Sequence, residues 1–264
     1  VATFETVYRR SLTDPAGFWE EAARDIDWIR PADQVLDDST APFYRWFAGG
    51  VLNTCHNALD RHADGGRGDQ LALIYDSPVT STIQRFTYQE LRAEVARFAG
   101  ALAARGIGKG DRVVISMPML PRAVIAMLAC ARLGAIHSVV FGGFAANELA
   151  SRIDHAKPKV IVFGSCGMEG GRIVEYAPLI NRALELAAHQ PQFCIVAQRL
   201  QAKAELVTGR DVDWEDAVAD AEPAGCVPVA ATDPLYILYT SGTTATPRGS
   251  CGTTAVTRWR CAGQ

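Results

Sequence analysis

VVISMPMLPRAVIAMLACARLGAIHSVVF, Val113 to Phe141, is the stretch on which the fold turns. It opens with the apolar run Val113-Val-Ile-Ser116, stopped by Pro118, and closes with a second run, Ile136 to Phe141. Between them, Ala123 to Leu133 is almost wholly apolar and too long for a strand, which predicts a helix buried on most sides. Two continuous apolar strands joined by a buried helix make a βαβ unit, whose strands run parallel.

The same alternation extends in both directions. Upstream, Leu71-Ala-Leu-Ile-Tyr75 reads as a short strand, and Thr87-Tyr-Gln-Glu90 is a capping box: the Thr87 hydroxyl can accept from the Glu90 amide while Glu90 reaches back. Behind it Leu91, Val95, Phe98 and Leu102 recur at helical spacing until Gly106. Downstream, Gly142-Gly143 turns into a helix over Asn147 to Ala156, followed by a strand over Lys159 to Phe163. A helix over Leu179 to Ala188, a strand over Phe193 to Ala197, a helix near Trp214 to Ala221 and a strand over Leu235 to Tyr239 complete the series. The fold class is α/β, with parallel strands covered by helices on both faces.

Residues 1–70 break this rhythm and read as an irregular extension rich in tryptophan (Trp19, Trp28, Trp46). Asp14 and Pro15 suit the cap and first turn of a helix that turns Phe18, Trp19, Ala22 and Ala23 inward. These aromatics read as packing, with the lining of a ligand site as the alternative.

With 264 residues, 48% of them hydrophobic and 21% charged, the chain can bury a sizeable core. A net charge of −3 without charge blocks points away from nucleic acid and from a polybasic membrane patch. The longest apolar stretch, near Val124 to Ala131, is too short for a bilayer, and Val1 to Arg10 does not resemble a signal peptide. The seven cysteines (Cys55, Cys130, Cys166, Cys194, Cys226, Cys251, Cys261) form no C-x-x-C pair and read as reduced thiols filling the core, hence a cytoplasmic expectation. The five histidines have no ligand spacing, so no metal site is expected among them.

Chemistry concentrates in Tyr236-Ile-Leu-Tyr-Thr-Ser-Gly-Thr-Thr244, where an apolar strand runs into four hydroxyl-bearing residues and one glycine. Such a loop can bring backbone N–H groups and hydroxyls close to phosphate oxygens. It is not a Walker A loop, and a plain Ser/Thr turn fits the spacing equally.

Tyr239-Thr-Ser-Gly-Thr-Thr244 resembles the ATP signature of adenylate-forming enzymes, Y-T-S-G-T-T-G-x-P-K-G. Cys55-His-Asn-Ala-Leu-Asp-Arg-His62, Asp111-Arg-Val-Val with Met117-Pro-Met119, and above all Leu128 to Phe144 resemble the acetyl- and propionyl-CoA synthetase branch. Pro42-Phe-Tyr-Arg-Trp-Phe47 and Gly209-Arg-Asp-Val-Asp-Trp214 lean towards the propionyl side. A luciferase-like or longer-chain ligase would fit the loop but not Leu128 to Phe144.

The resemblance implies an AMP-forming acyl-CoA synthetase using ATP, CoA and Mg²⁺ on propionate or acetate. A carboxylate attacks the α-phosphate of ATP, and the CoA thiol then displaces AMP. By residue match, Thr240, Ser241, Gly242, Thr243 and Thr244 inherit phosphate binding. Glu169, Gly170, Gly171 and Arg172 align with the family's CoA-binding stretch, although the acetyl branch carries arginine where Glu169 stands, and Arg172 reads equally as a solvated loop arginine. The family's catalytic lysine lies in a later domain, so no catalytic residue is assigned.

After Thr244 the resemblance stops, since Ala245-Thr-Pro-Arg-Gly249 replaces G-x-P-K-G. Back-translated from the last base of the Thr244 codon, the tail can read G-N-P-K-G-V-V-R-D-N-G-G-Y-A-V-A-L-R-W-S, which resembles the family's continuation. The expected division is therefore 1–70 extension, 71–244 part of the AMP-binding large domain, and 245–264 an out-of-frame tail. Such a chain is expected to be inactive alone and marginally stable. The competing expectation is a non-catalytic nucleotide- or CoA-binding module whose tail packs against the body.

Overall fold

The computed structural model describes residues 3–140, 145–240, 248–254 and 258–260. The extension begins with helices α1 (Phe4–Thr13) and α2 (Pro15–Ala22). Asp14 caps α2 by accepting from the Gly17 amide, and Pro15 fills its first turn. Of the side chains expected to turn inward, Phe18, Trp19 and Ala23 are half-buried, whereas Ala22 is exposed. The helix is too short to hold more than a narrow stripe against its neighbour.

Strands β1 (Gln34–Asp37) and β2 (Arg45–Ala48) form an antiparallel ribbon, and β3 (Val51–Leu52) follows. Trp19, Trp28, Trp46, Phe47 and Leu52 pack there as a satellite core. The tryptophans are packing groups here. Neither the ribbon nor α1 was legible in the sequence, because neither carries a long period.

A first π-helical turn, His56–Asp60, and a second helical segment, Ala63–Arg67, kinked at Gly65 and Gly66, lead to the antiparallel hairpin β4 (Leu71–Ser77) and β5 (Thr82–Thr87). Next come α3 (Tyr88–Ala103), β6 (Arg112–Ser116), α4 (Pro121–Leu133), β7 (Ile136–Val140), α5 (Ala146–Ala156) and β8 (Val160–Gly164). The Thr87 capping box forms at the start of α3, with Thr87 N donating to Glu90 Oε2 at 2.8 Å and Glu90 N to Thr87 Oγ1 at 3.2 Å. A short hairpin, β9 (Cys166–Glu169) and β10 (Arg172–Glu175), precedes α6 (Ala177–Leu186) and β11 (Phe193–Ala197). Strand β12 (Asp211–Asp213), α7 (Trp214–Ala219), β13 (Val229–Ala230), β14 (Pro234–Thr240), β15 (Arg248–Thr253) and β16 (Arg258–Arg260) complete the described chain.

Eight strands form the central sheet in the order β12-β11-β8-β6-β7-β14-β15-β16. The strands from β12 to β14 are parallel, and β15 and β16 add antiparallel. Side chains alternate across the sheet as the pleat requires. Val113, Ile115, Val160, Val162 and Ile195 face α3, α4 and α7, whereas Val114, Ile161, Phe163, Cys194 and Val196 face α5 and α6. Both faces of the parallel strands are thus covered, as the unbroken apolar runs required. Leu91, Val95, Phe98 and Leu102 are all buried in the first of these cores, where Phe98 stacks on Trp214 at 3.7 Å between ring centroids.

The extension is fastened to the body at the far end of α4. Asn53 Nδ2 donates to the carbonyls of Ala131 and Arg132, each at 3.1 Å, and to Val227 O at 2.8 Å. These bonds satisfy carbonyls that a helix C-terminus leaves open. Alongside, Arg132 Nη1 and Nη2 hold the two oxygens of Asp60 at 2.8 and 3.0 Å, and Arg132 Nε donates to Ala224 O at 2.6 Å. Cys55 and Leu59 lie in the same core as α3 and α4.

Candidate nucleotide site

The expected phosphate loop starts where β14 ends. Chain direction puts the carboxyl ends of the parallel strands on one edge, which is where open α/β sheets take their ligands. On that edge Ser116, Val140, Gly164 and Thr240 are the last residues of β6, β7, β8 and β14. The order of strands reverses here: from β6 the chain passes to β7 on one side, then to β8 on the other. Thr240 closes β14; Ser241, Gly242, Thr243 and Thr244 lie outside the described residues.

What the structure does define is how β14 is held. Its side facing β7 is joined by the buried Ser138 hydroxyl, which donates to Ile237 O at 3.1 Å. Tyr239, the last side chain before the loop, places Oη 2.9 Å from His155 Nδ1 and donates to Arg152 O at 3.4 Å. The Arg152 guanidinium lies over the Tyr239 ring, 5.1 Å from its centroid, and also pairs with Glu148 at 3.0 Å. Tyr239 thus anchors the end of β14 to α5. Sequence reading missed His155 and Arg152 because they stand far from the loop in the chain and follow no motif.

On the opposite flank β15 pairs antiparallel with β14, from Thr240 opposite Arg248 to Pro234 opposite Thr253. Gly252 faces the Tyr236 ring so closely that any side chain there would overlap it. His137, beside Tyr236 with 6.0 Å between ring centroids, has a buried Nδ1 with no hydrogen-bond partner among the described residues. Burial pushes its pKa down to about 4. It is a neutral packing residue at neutral pH. The other histidines are spread over the fold, for example His56 near Asp27 at 3.4 Å and His189 with Nε2 2.8 Å from Pro158 O.

The expected CoA stretch is the tip of the β9–β10 hairpin. Gly170 and Gly171 both have positive φ, +53° and +81°, the pattern of a two-residue primed turn, and a side chain on either would meet only open space. Glu169 and Arg172 are cross-strand partners, and both are exposed. The hairpin root is firm, because Tyr176 at the start of α6 packs its hydroxyl against Gly167, and burial is the first cause raising the pKa of that phenol. The hairpin leaves β8 on the same carboxyl edge as the β14 loop. With β6 and β7 intervening, the two strand ends stand about 14 Å apart. The root of the β9–β10 hairpin and the end of β14 therefore border one edge of the sheet.

A separate cleft of about 480 Å³ lies between the β4–β5 hairpin and the loop after β11, lined in part by Tyr75, Gln84, Arg122, Gln198 and Trp214. It includes none of the expected site residues, and Arg122 is already engaged by Glu215. Among the described residues one group, Cys55, Asp60 and Cys226, has metal-ligating atoms within 4.8 Å of one another.

The fold and the matched residues define a class: residues 59–264 match the AMP-binding enzyme family, and the chain belongs to it. Residues 4–58 match the acetyl-coenzyme A synthetase N-terminus. Among curated relatives, the mitochondrial acyl-CoA synthetase short-chain family member 3 of Homo sapiens is 52% identical over 247 residues, covering 93% of this chain and 36% of that protein. The propionate--CoA ligase of Salmonella typhimurium is 46% identical over 250 residues, covering 94% of this chain and 40% of the relative. Acetoacetyl-CoA synthetase from Streptomyces lividans superposes with a TM-score of 0.87 at 29% identity, over 97% of this chain and 39% of the other. The chain thus spans well under half the length of these relatives. Among the described residues no helix is long and apolar enough to cross a membrane.

Proposed function

We propose that this chain is the amino-terminal part of a short-chain, AMP-forming acyl-CoA ligase, with propionate as the first candidate substrate and acetate as the second. The observation that supports the reading is the course of β14, which ends with Thr240 at the carboxyl edge of the parallel sheet, just before Ser241 in the sequence. There, backbone N–H groups and the hydroxyls of Thr240, Ser241, Thr243 and Thr244 would hold the β- and γ-phosphates of ATP while a carboxylate attacks the α-phosphate. Mg²⁺, when bound, would offset the charge that develops on departing pyrophosphate. The β9–β10 tip, with Arg172 exposed on it, would receive a phosphate of CoA before its thiol displaces AMP. The cytoplasm is the proposed location.

The division into 1–70, 71–244 and 245–264 belongs to the same proposal. Pairing of residues 248–253 with β14 is made by the main chain. ATP–pyrophosphate exchange with propionate is the test. We expect none from the 264-residue chain and clear exchange once the gene is read onward in the alternative frame. Exchange by the short chain would overturn its expected inactivity, and inactivity of the continued protein would overturn the ligase reading.

A second reading is favoured by one observation, the antiparallel seating of β15 along the whole of β14. A self-contained, non-catalytic nucleotide-binding module would have a tail packed in this way. It requires the 264-residue chain to bind ATP as a folded monomer, which equilibrium dialysis would reveal.

A further inference from the structure

Cys55 and Cys226 are remote in sequence yet meet beside the buried Arg132–Asp60 pair. Their sulfurs and a carboxylate oxygen of Asp60 all lie within 4.8 Å of one another. Arg132 Nη1 stands 3.6 Å from Cys55 Sγ, and Cys226 Sγ is 3.7 Å from Asp60 Oδ2. Cys55 is fully buried, whereas Cys226, on the loop that leads from α7 to β13, is partly exposed. One sulfur is held inside by a guanidinium, and the other is within reach of solvent.

A metal ion fits this group poorly. Both oxygens of Asp60 are already taken by Arg132 at 2.8 and 3.0 Å, and the fixed positive charge repels a divalent cation. The same charge favours a thiolate. The hydrogen bond from Cys226, followed by that from Arg132, holds the Cys55 thiol below the ordinary range, while burial opposes them. At Cys226 the shared proton, first of all, and then burial push the pKa up.

We propose that Cys55 and Cys226 form an oxidisable thiol pair, closed to a disulfide by a peroxide. The Cys55 thiolate, reached past the partly exposed Cys226, attacks the peroxide: the O–O bond breaks, an S–O bond forms to give a sulfenic acid, and the hydroxide released takes the proton of Cys226 to leave as water. The Cys226 thiolate so formed attacks the Cys55 sulfur. The S–O bond breaks, and the departing hydroxide takes up the proton that Cys55 gave up on ionising and leaves as a second water. In sum, two thiols are oxidised by two electrons while one peroxide is reduced to two waters. Closure to a bond of about 2 Å needs the sulfurs to approach, and Cys226 sits on a loop that can supply that movement. The link would tie the segment before the first π-helical turn to the loop that feeds β13 and β14.

The test uses the full 264-residue chain, reduced, freed of reductant, and treated with a small excess of hydrogen peroxide. Remaining thiols are capped with N-ethylmaleimide, and the protein is digested without reductant for mass spectrometry. We expect one dominant linked peptide pair, Cys55 with Cys226, lighter by two hydrogens and separated again by dithiothreitol. Cys226→Ser should lose that species without creating another. The same treatment in urea should scatter the links over several of the seven cysteines, which shows that the folded state selects the pair. Capping of both sulfurs without a link, or recovery of Cys226 as sulfinic acid beside a free Cys55, would overturn the proposal. So would one retained zinc ion, after incubation with zinc chloride and gel filtration, that shields both cysteines from capping. The readout on the unmodified sequence does not depend on any variant folding.

Discussion

Replacing Asp60 by Asn keeps the shape of the side chain and removes one negative charge opposite Arg132. In the native fold the pair is bidentate, at 2.8 and 3.0 Å, and only 7% of the Arg132 side chain and 12% of Asp60 reach solvent. Two unit charges about 4 Å apart attract by about 4 kcal/mol at an effective dielectric constant near 20. Removing one member of a buried pair destabilises by about 3–5 kcal/mol, chiefly because the survivor stays buried without a counter-charge. The two routes agree. Arg132 keeps its bond to Ala224 O, which fixes the guanidinium in place and stops it from escaping to water. Asp60→Asn should therefore cost about 4 kcal/mol. With a urea dependence of about 3 kcal/mol/M, the unfolding midpoint falls by somewhat more than about 1 M. The double variant Asp60→Leu with Arg132→Met should recover most of the loss, since no charge is then left buried. A midpoint lowered by less than about 0.3 M in Asp60→Asn would refute the reasoning, because the pair would then be energetically equivalent to an exposed one.

Gly100→Ala, within α3, would drive a methyl group into the Glu222 carbonyl oxygen, so the loop after α7 must shift; a loss of about 1–3 kcal/mol in thermal or urea unfolding is expected. Gly252→Ala meets the Tyr236 ring, so it should detach β15 from β14 and expose 248–253 to limited proteolysis, whereas unchanged protection would mean that the tail does not lie there. His137 supplies a pH dependence. Its folded pKa, about 4, lies below the unfolded value of 6.5, so between those limits the unfolded chain binds the extra proton and stability falls as pH drops. The full loss by pH 4 is bounded at about 3 kcal/mol, less to the extent that the half-buried ring is screened. His137→Gln should flatten that part of the stability-against-pH curve.

Much of the sheet was legible because its strands are buried on both faces and its helices carry long apolar stripes. Val113–Ser116, Phe193–Ala197 and the Leu91–Leu102 face each bury as their spacing requires. The β9–β10 hairpin was not, since Glu169, Gly170, Gly171 and Arg172 are exposed residues whose order reflects a turn and no apolar period. Strand β15 was hidden for another reason: Arg248–Thr253 has no apolar alternation, and main-chain pairing alone places it. The candidate phosphate loop was proposed from residue types, but the anchor of the strand before it, Tyr239 on His155 and Arg152, depends on tertiary contact between distant segments. Cys55 and Cys226 were read as separate core fillers. Only folding brings them together, across 166 residues in the case of Cys226 and Asp60.

The boundary between the two matched regions, at residues 58 and 59, falls inside the turn His56–Asp60. Cys55 and Leu59, one on each side of it, are plugs in the same interior, and Asn53 closes the end of α4 from across that line. Severing the chain there would part Asn53 from the helix end it caps and Cys55 from the Arg132 guanidinium. The opening stretch is thus less an appendage than a keystone, and the two regions are expected to unfold together.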